Sequence, residues 1–356
     1  MVFYIFLLNS LLLLLTLINF LTIRRPLSPS KFNHSILVLL PVRNEESNIE
    51  RILAELENQI GVSKYKVLVI NDNSEDRTRE LVLKSISERI SLFDAPMPPT
   101  GWIGKVNALE SGLNSTAPAD VVISIDADVH FEKDAIARAV TTLIDSNLDF
   151  ISPYPRQIAI SWTERLTQPL LQWSWMSTLL LRGAEKIPLT STVVCNGQFL
   201  VMKGESLNAI GGFQSVSHQV LDDIELGRSF VRNGYRGTVI DGSSIASTRM
   251  YSNFAEVRAG YGKSLNKAFG SKIGSIFAAL FIALTGIIPL LYSLNGNLIA
   301  IAALAAIIGS RFASSAASSG RLRDSFLHPA SSLLFIYLLY FSWINRGKTQ
   351  WKGRTV

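Results

Sequence analysis

Val121-Val122-Ile123-Ser124-Ile125-Asp126-Ala127-Asp128 is a short apolar run that ends abruptly on two carboxylates. An unbroken run of this kind reads as a strand buried on both faces, as in a parallel sheet with helices on either side. Two other stretches have the same form. Ser35-Ile36-Leu37-Val38-Leu39-Leu40 leads into Pro41-Val42-Arg43-Asn44-Glu45, and Lys66-Val67-Leu68-Val69-Ile70 leads into Asn71-Asp72-Asn73. Within residues 46–59, Ile49, Ile52, Leu53 and Leu56 recur at helical spacing and make one apolar face. Strand and helix patterns therefore alternate, which predicts an α/β domain with a mostly parallel sheet over residues 35–271. Ligands of open α/β sheets sit at the carboxyl ends of the strands. The three polar strand ends thus mark one rim as a candidate nucleotide site.

Outside this domain the composition changes. The chain has 356 residues, 48% hydrophobic and only 17% charged, and its mean hydropathy of +0.27 is high for a soluble enzyme. The apolar excess lies at the two ends. Residues 2–23 are almost unbroken hydrophobic sequence followed by Arg24, Arg25 and Pro26. About 20 helical residues span the hydrocarbon core, so this run is long enough to cross. It lacks the charged start and small-residue cleavage site of a signal peptide, and is expected to stay as an anchor over residues 1–23. Arg24, Arg25 and Lys31 place the following domain in the cytoplasm by the positive-inside bias, in an integral protein of the inner or plasma membrane.

Residues 274–345 are expected to hold further membrane helices. Residues 274–294 and 298–308 read as a hairpin around Asn295-Gly296-Asn297, followed by a Ser/Ala-rich stretch with Arg311, Arg321 and Arg323. The last apolar run, residues 330–344, is short. If it crossed, Arg346, Lys348, Lys352 and Arg354 would lie outside, against the charge bias, so a re-entrant or interfacial segment is preferred.

The net charge of +6 fits contact with anionic membrane surface or phosphates and does not suggest a nucleic-acid binder. Cys195 is the single cysteine and the four histidines show no ligand spacing, so any metal would be held by oxygen, as Mg2+ or Mn2+ prefers.

Asp126 and Asp128 can approach one cation where the strand turns, and a cation there would bridge a diphosphate; the alternative is that they cap the next helix. Asp72 lies in Asn71-Asp72-Asn73-Ser74, either a turn or an acceptor for nucleobase N–H groups. Lys105 follows Gly101 and Gly104 at the start of a helical stretch, where backbone and ammonium could meet a phosphate. This is no Walker A loop, because no Ser or Thr follows the lysine. Asp222 and Asp223 enter an apolar helix; they either dress its N-terminus or supply the carboxylate base that transfer to a hydroxyl needs.

In this order, LPVRNEE, VINDNSEDRT, GWIGKVNAL, ISIDADV, GGF and LDDIELG resemble the family-2 glycosyltransferases of the GT-A fold. The segment PTGWIGKVNAL is similar to the lipid-directed subgroup, which includes ceramide glucosyltransferase-like, hopanoid-associated and carotenoid-acid enzymes. The resemblance implies a Rossmann-like GT-A domain and an inverting transfer from a nucleotide sugar, commonly UDP-glucose. It implies that Pro41, Arg43, Glu45 and Asp72 hold the nucleotide with Lys105 nearby. Asp126 and Asp128 would then hold metal and diphosphate, Asp223 would be the base beside Asp222, and Gly212-Phe213 would shape the acceptor side. The chain departs from the family in lacking a Gln/Arg-x-x-Arg-Trp motif after the base. Arg249 is the residue expected to replace part of its diphosphate contact.

Residues 162–182 carry Trp162, Trp173 and Trp175 among apolar residues. They suit a helix lying in the membrane interface that leads a lipid to Asp223, with Asn196, Gly197 and Gln198 lining the entrance. The competing reading is an ordinary core helix. Two other readings of the whole chain stay open: a transferase for polyprenyl-phosphate acceptors, and a non-catalytic membrane scaffold with a degenerate nucleotide-binding domain. The sequence is silent on the oligomeric state.

Overall fold

The computed structural model describes residues 1–346 and, for the backbone alone, residues 350, 351, 354 and 355. Lys348 and Lys352 of the C-terminal basic group lie outside the described residues. The chain divides into two compact units, one of Arg24–Arg156 and Gly183–Thr248, the other of Met1–Ile23, Gln157–Arg182 and Arg249–Val356.

The first unit is the α/β domain. Its strands are β1 (Ile36–Val42), β2 (Tyr65–Asn71), β3 (Ile90–Asp94), β4 (Val121–Ile125), β5 (Val129–Phe131), β6 (Phe150–Tyr154), β7 (Arg156–Gln157), β8 (Phe199–Lys203), β9 (Gly237–Asp241) and β10 (Ala246–Thr248). Seven of them form one sheet in the order β3-β2-β1-β4-β8-β6-β9. The β1–β2, β2–β3, β1–β4 and β6–β9 pairs are parallel, whereas β8 is antiparallel to both β4 and β6. This is the GT-A-like mixed α/β architecture with a mostly parallel sheet that the motif order implied.

Alternation along β1 explains why the sheet is covered on both faces. Ile36, Val38 and Leu40 point into a core shared with Ile49, Ile52, Leu53 and Leu56 of helix Ile49–Glu57 and with Ile136, Val140 and Leu143 of helix Ala135–Asp145. Leu37 and Leu39 point the other way, into a core with Val106 and Leu109 of helix Gly104–Asn114 and Leu226 and Phe230 of helix Asp222–Arg232. Each large aliphatic side chain taken fully out of water contributes about 1.5–3 kcal/mol before entropy is counted. Breaking either layer would therefore undo the sheet that sets the strand ends.

The second unit is helical. Four of its helices are long and apolar enough to cross a membrane: Val2–Thr22, Lys272–Ser293, Leu298–Ala317 and Leu322–Ile344. The last corrects the expectation of a short segment. A 3-10 turn, Leu322–Leu327, runs directly into helix His328–Ile344, and together they make 23 residues. Helix Leu298–Ala317 likewise continues nine residues past Ile308, and Ser310, Ser314 and Ser315 are small enough to be buried against its neighbours. Val2–Thr22 and Leu298–Ala317 run side by side in the same direction. Asn9 Nδ2 donates to the carbonyl of Ala303 at 3.0 Å, and Thr16 Oγ1 lies 2.7 Å from Ser310 Oγ.

Residues 283–287 of the second long helix form a π turn, whose Thr285 carbonyl accepts from Asn9 Nδ2 at 3.1 Å. Helix Trp162–Thr178 also belongs to this unit. It starts with a capping box between Ser161 and Glu164 and runs through Pro169. Helix Phe254–Ala268 joins it. Within the residues expected to form the α/β domain, 157–182 and 249–271 thus pack with the helical unit.

Candidate active site at the strand ends

The site is built where β4 ends and β8 begins. Because β8 runs against β4, Phe199 pairs with Ile125, and the backbone N–H of Asp126 donates to the carbonyl of Gln198 at 3.1 Å. A reversed strand delivers its start to the rim where its parallel neighbours deliver their ends. This brings Asn196-Gly197-Gln198 to Asp126, a juxtaposition across 72 residues that periodicity alone did not disclose.

Lys105 stands in the first turn of helix Gly104–Asn114, and its Nζ donates to Asp126 Oδ1 at 2.5 Å. Burial alone would pull this ammonium down; Asp126, Asp222 and Asp223 outweigh burial and hold it above its ordinary value. Asp128 lies one residue beyond Ala127, and its Oδ1 is buried without a partner among the described residues. Burial, then the charges of Asp126 and Glu45, push its pKa up to about 7.

Asp222 and Asp223 open helix Asp222–Arg232. Asp223 Oδ2 accepts from the Gly197 N–H at 2.8 Å and Oδ1 from the Ile224 N–H at 2.8 Å. Burial raises its pKa in spite of these bonds. Burial pushes Asp222 up to about 6, with Lys105 opposing and Asp223 and Asp126 adding to the rise. Gly197 fits between these groups. A Cβ there would come 3.3 Å from Asp223 Cβ and 3.4 Å from Lys105 Nζ. Asn196 and Gln198 tie the turn together, Asn196 Nδ2 donating to Gln198 Oε1 and the Gln198 N–H to Asn196 Oδ1, each at 2.9 Å.

The expected nucleotide residues gather at the ends of β1 and β2. Pro41 and Val42 pair with Ile70 and Asn71. Arg43 is buried and donates from Nη1 to the carbonyls of Asp72 at 2.8 Å and Asn73 at 3.0 Å. Its charge therefore holds the Asp72-Asn73 turn in place. Asn44 and Asn73 both adopt left-handed backbone, with φ of 52° and 53°, a conformation that asparagine tolerates. Asp72 is buried beneath this double turn, and Glu45 is fixed by Asn48 Nδ2 at 2.9 Å.

Several side chains play parts other than those expected. Phe213 is buried in the core with Leu109 and Val216, where it cannot face an acceptor. With Gly212, at φ 63°, it locks a 3-10 turn that packs on helices Gly104–Asn114 and Asp222–Arg232, and so helps position Lys105 and Asp223. The Arg249 guanidinium is taken by the buried Glu164, with Nε donating to Oε1 at 2.8 Å. Its charge is compensated there, inside the helical unit. Trp173 and Trp175 are only 1% and 7% exposed, whereas Trp162 is 64% exposed. Helix Trp162–Thr178 is therefore packed among other helices, with the Trp173 Nε1 donating to Ser310 Oγ at 2.8 Å, and only its start offers an aromatic ring to the surroundings. Cys195 is a buried core residue; burial and then Asp223 drive its thiol pKa well up.

His218 was not singled out by its sequence context, yet it organises the site. Its Nδ1 pairs with the Gly101 carbonyl at 2.8 Å, and the Ile103 N–H donates to the Ser217 carbonyl at 2.8 Å. The Gly-Trp-Ile-Gly-Lys loop is thereby tied to the turn that precedes Asp222. No spacing signal connects residues 117 apart.

Residues 37–210 match the family model described as Glycosyl transferase family 2. The chain is 24% identical to a 4,4'-diaponeurosporenoate glycosyltransferase of Staphylococcus aureus over 344 residues, which cover 91% of this chain and 88% of that protein. It is 25% identical over 264 residues to a protein of the same name from Staphylococcus haemolyticus, covering 71% of this chain and 67% of the other. Among solved structures, a mannosyltransferase of Pyrobaculum calidifontis in complex with GDP-Man and Mn2+ matches with a TM-score of 0.55 at 17% identity, over 97% of this chain and 98% of that one. At that identity the structural likeness speaks for the fold alone.

Proposed function

We propose that the chain is a glycosyltransferase that moves a sugar from a nucleotide-sugar donor, a UDP-sugar by preference, onto a lipid acceptor, a reading supported by the match of residues 37–210 to the Glycosyl transferase family 2 model. The observation that carries this reading is the single cluster of Lys105, Asp126, Asp128, Asp222 and Asp223 around Gly197. The staphylococcal relatives are named for diaponeurosporenoate, and four helices of membrane length flank the catalytic sequence, so a lipid acceptor is the class both features support. The carboxylates retained in this cluster count against a non-catalytic scaffold with a degenerate nucleotide-binding domain.

Asp126 and Asp128 fit a divalent cation such as Mg2+ or Mn2+. The orphaned, buried Oδ1 of Asp128 and the shared charge of the pair call for a hard cation. Among the described residues no third His, Cys, Asp or Glu joins them, so these two carboxylates are what the chain would offer such a cation. A cation held there would neutralise charge on the leaving diphosphate. Lys105 lies at the same carboxylates and adds its own positive charge to that task. Asp72 and Arg43 give the nucleobase a buried, rigid turn to bind against.

Asp223 is proposed as the base. Both its oxygens are held by backbone N–H groups, which fix the carboxylate's direction while leaving lone pairs to accept a proton from an acceptor hydroxyl. Burial raises its proton affinity toward what that transfer requires. The proton then leaves with Asp223 as the acceptor oxygen bonds to the anomeric carbon and the bond to the diphosphate breaks, inverting that centre.

We further propose that the four long helices cross the membrane and that the α/β unit faces the cytoplasm. Four crossings return the C-terminus to the side of Met1, a path that requires the parallel run of Val2–Thr22 and Leu298–Ala317. The deciding experiment incubates the full-length protein in detergent with Mg2+ or Mn2+, a panel of nucleotide sugars and a lipid extract of the source cell, followed by mass spectrometry. A new glycosylated lipid that disappears with EDTA is expected. A sugar transferred only to water-soluble acceptors would overturn the lipid assignment, and a product indifferent to EDTA the metal.

A further inference from the structure

The helical unit buries a cation that makes no hydrogen bond among the described residues. Arg311 lies inside helix Leu298–Ala317, is fully buried, and its Nε, Nη1 and Nη2 make no hydrogen bond among the described residues. Its Cζ is 5.9 Å from the Trp173 ring centroid. The rings of Trp173 and His328 meet edge to face at 4.9 Å. His328 is also fully buried, and neither ring nitrogen has a partner. Asp324, the carboxylate whose charge reaches Arg311, already gives its Oδ1 to Arg165, whose Nε and Nη2 approach at 2.9 and 2.5 Å. Its other oxygen is unpartnered.

One stripe of helix Trp162–Thr178 completes the surroundings. Arg165 reaches Asp324, and Gln172 reaches the carbonyl of Ser314 at 3.5 Å. Gln168 falls between them at helical spacing, and both atoms of its buried amide are unpaired. A buried guanidinium with five unused donors is costly in any protein, and more so between helices of membrane length. Native structures leave few such groups unexplained. Arg165 with Asp324 is neutral, and Arg249 with Glu164 is neutral, which leaves Arg311 uncompensated by one positive charge. Water could meet the hydrogen bonds but not the charge.

We propose that Arg311, with His328 and Gln168, forms an anion site within the helical unit for the oxyanion head of an acidic amphiphile, a carboxylate or a phosphate on an apolar chain. The guanidinium fork matches two oxygens of such a head, and the imidazole and amide each present a further N–H. Leu12, Leu170, Ile282 and Ile307 pack with Trp173 in one apolar cluster, surroundings that favour an amphiphile's chain over a free ion. The π turn packs directly on this group. A Cβ on Gly286 would collide with Ser332 Oγ and come 3.0 Å from His328 Cδ2, so only glycine fits beside the imidazole, and π turns are frequent at functional positions. The site rests on the reading of these helices as membrane-crossing, and is independent of the transfer reaction.

The test is equilibrium binding to the full-length protein in neutral detergent, read by native mass spectrometry. The probes are oleate, oleyl phosphate, the neutral twin oleyl alcohol and inorganic phosphate. Saturable binding of oleate or oleyl phosphate, at least about ten-fold tighter than the alcohol, is expected; whichever of the two binds tighter identifies the head. Arg311→Gln should abolish that preference, and Arg311→Lys should weaken it by losing the fork, while nucleotide binding at the α/β unit stays at the parent level. Equal binding of oleyl alcohol, or unchanged preference in a folded Arg311→Gln protein, would overturn the site. Inorganic phosphate binding as tightly as oleyl phosphate would overturn the amphiphile. The comparison of charged and neutral probes on the parent protein decides the matter even if the variants do not fold.

Discussion

The backbone N–H of Gly197 points at Asp223 and donates to its Oδ2 at 2.8 Å, from a residue 26 positions earlier in the chain. The bond gives the carboxylate a direction that its own helix turn alone would not. Asp223→Asn keeps the shape but removes the proton acceptor. Turnover onto a hydroxyl acceptor should fall by about 10²–10⁴-fold, with nucleotide affinity measured by calorimetry within about two-fold of the parent. Full turnover would remove Asp223 from the base role.

Gly197→Ala tests the crowding directly. Its Cβ would press on Asp223 and Lys105 at 3.3–3.4 Å, so one or both must move. Misplacing a reacting group by about 1 Å can cost on the order of 100-fold in rate. Initial rates should therefore drop far more than the melting temperature does. A parallel loss of both would point to a folding defect instead.

Lys105→Gln leaves Asp126, Asp222 and Asp223 without their shared cation. Their mutual repulsion then opposes ionisation and weakens diphosphate binding. Donor affinity in the absence of divalent ions should fall at least about ten-fold, equivalent to about 1.4 kcal/mol. Added Mn2+ should restore part of it, because a divalent ion answers the same charges. Titrations of donor with and without Mn2+ check both halves.

The carboxylates also predict a pH response. Asp128 and Asp222 have folded-state values near 7 and 6, above the ordinary 3.8. Raised values mean that the folded protein binds these protons more tightly than the unfolded chain does. Their contribution to stability is full below about pH 4 and is lost as the pH rises through about 6 and 7. Metal-free protein should melt progressively lower between pH 5 and 8. Asp128→Asn should flatten that fall, and Mn2+ should reverse it at the upper end, since the metal takes the deprotonated form.

Topology can be read with cysteines, because the native Cys195 is buried. In intact cells an impermeant thiol reagent should label Asn295→Cys, on the loop between two long helices, and should not label Lys64→Cys in the α/β unit. If all four helices cross, Arg346→Cys should label with Asn295→Cys. If it behaves like Lys64→Cys, the last helix does not cross.

The α/β unit was largely legible in the sequence. Strands β1, β2 and β4 are apolar runs that stop on polar residues, and helix Ile49–Glu57 announces itself by Ile49, Ile52, Leu53 and Leu56. The direction of β8 was not legible, since Phe199–Lys203 has the same apolar character whichever way it runs. The meeting of Gly197 with Asp223 followed from that direction and was hidden with it. Trp173 misled because a tryptophan suits a membrane interface and a helix core equally; Ser310, a residue 137 positions away, decided for the core. The family resemblance pointed to Arg249 as a stand-in for the missing Gln/Arg-x-x-Arg-Trp motif, but Glu164 lies against it and neutralises its charge. Arg311 seemed to end a membrane helix, yet small serines around it allow the helix to continue with the arginine inside.

The reversed strand also sets an order in time. Lys105 and Asp126 are brought together by strands and crossovers that are complete by residue 125, whereas Gly197 and Asp223 wait for β8 to insert between β4 and β6. On a ribosome, a nascent chain ending at Asp149 can assemble the first four strands and the lysine–aspartate pair but lacks Gly197 and Asp223. The Lys105–Asp126 half of the cluster is thus available to fold early from neighbouring segments, and the Gly197–Asp223 half closes only through contacts of long sequence separation, which form slowly.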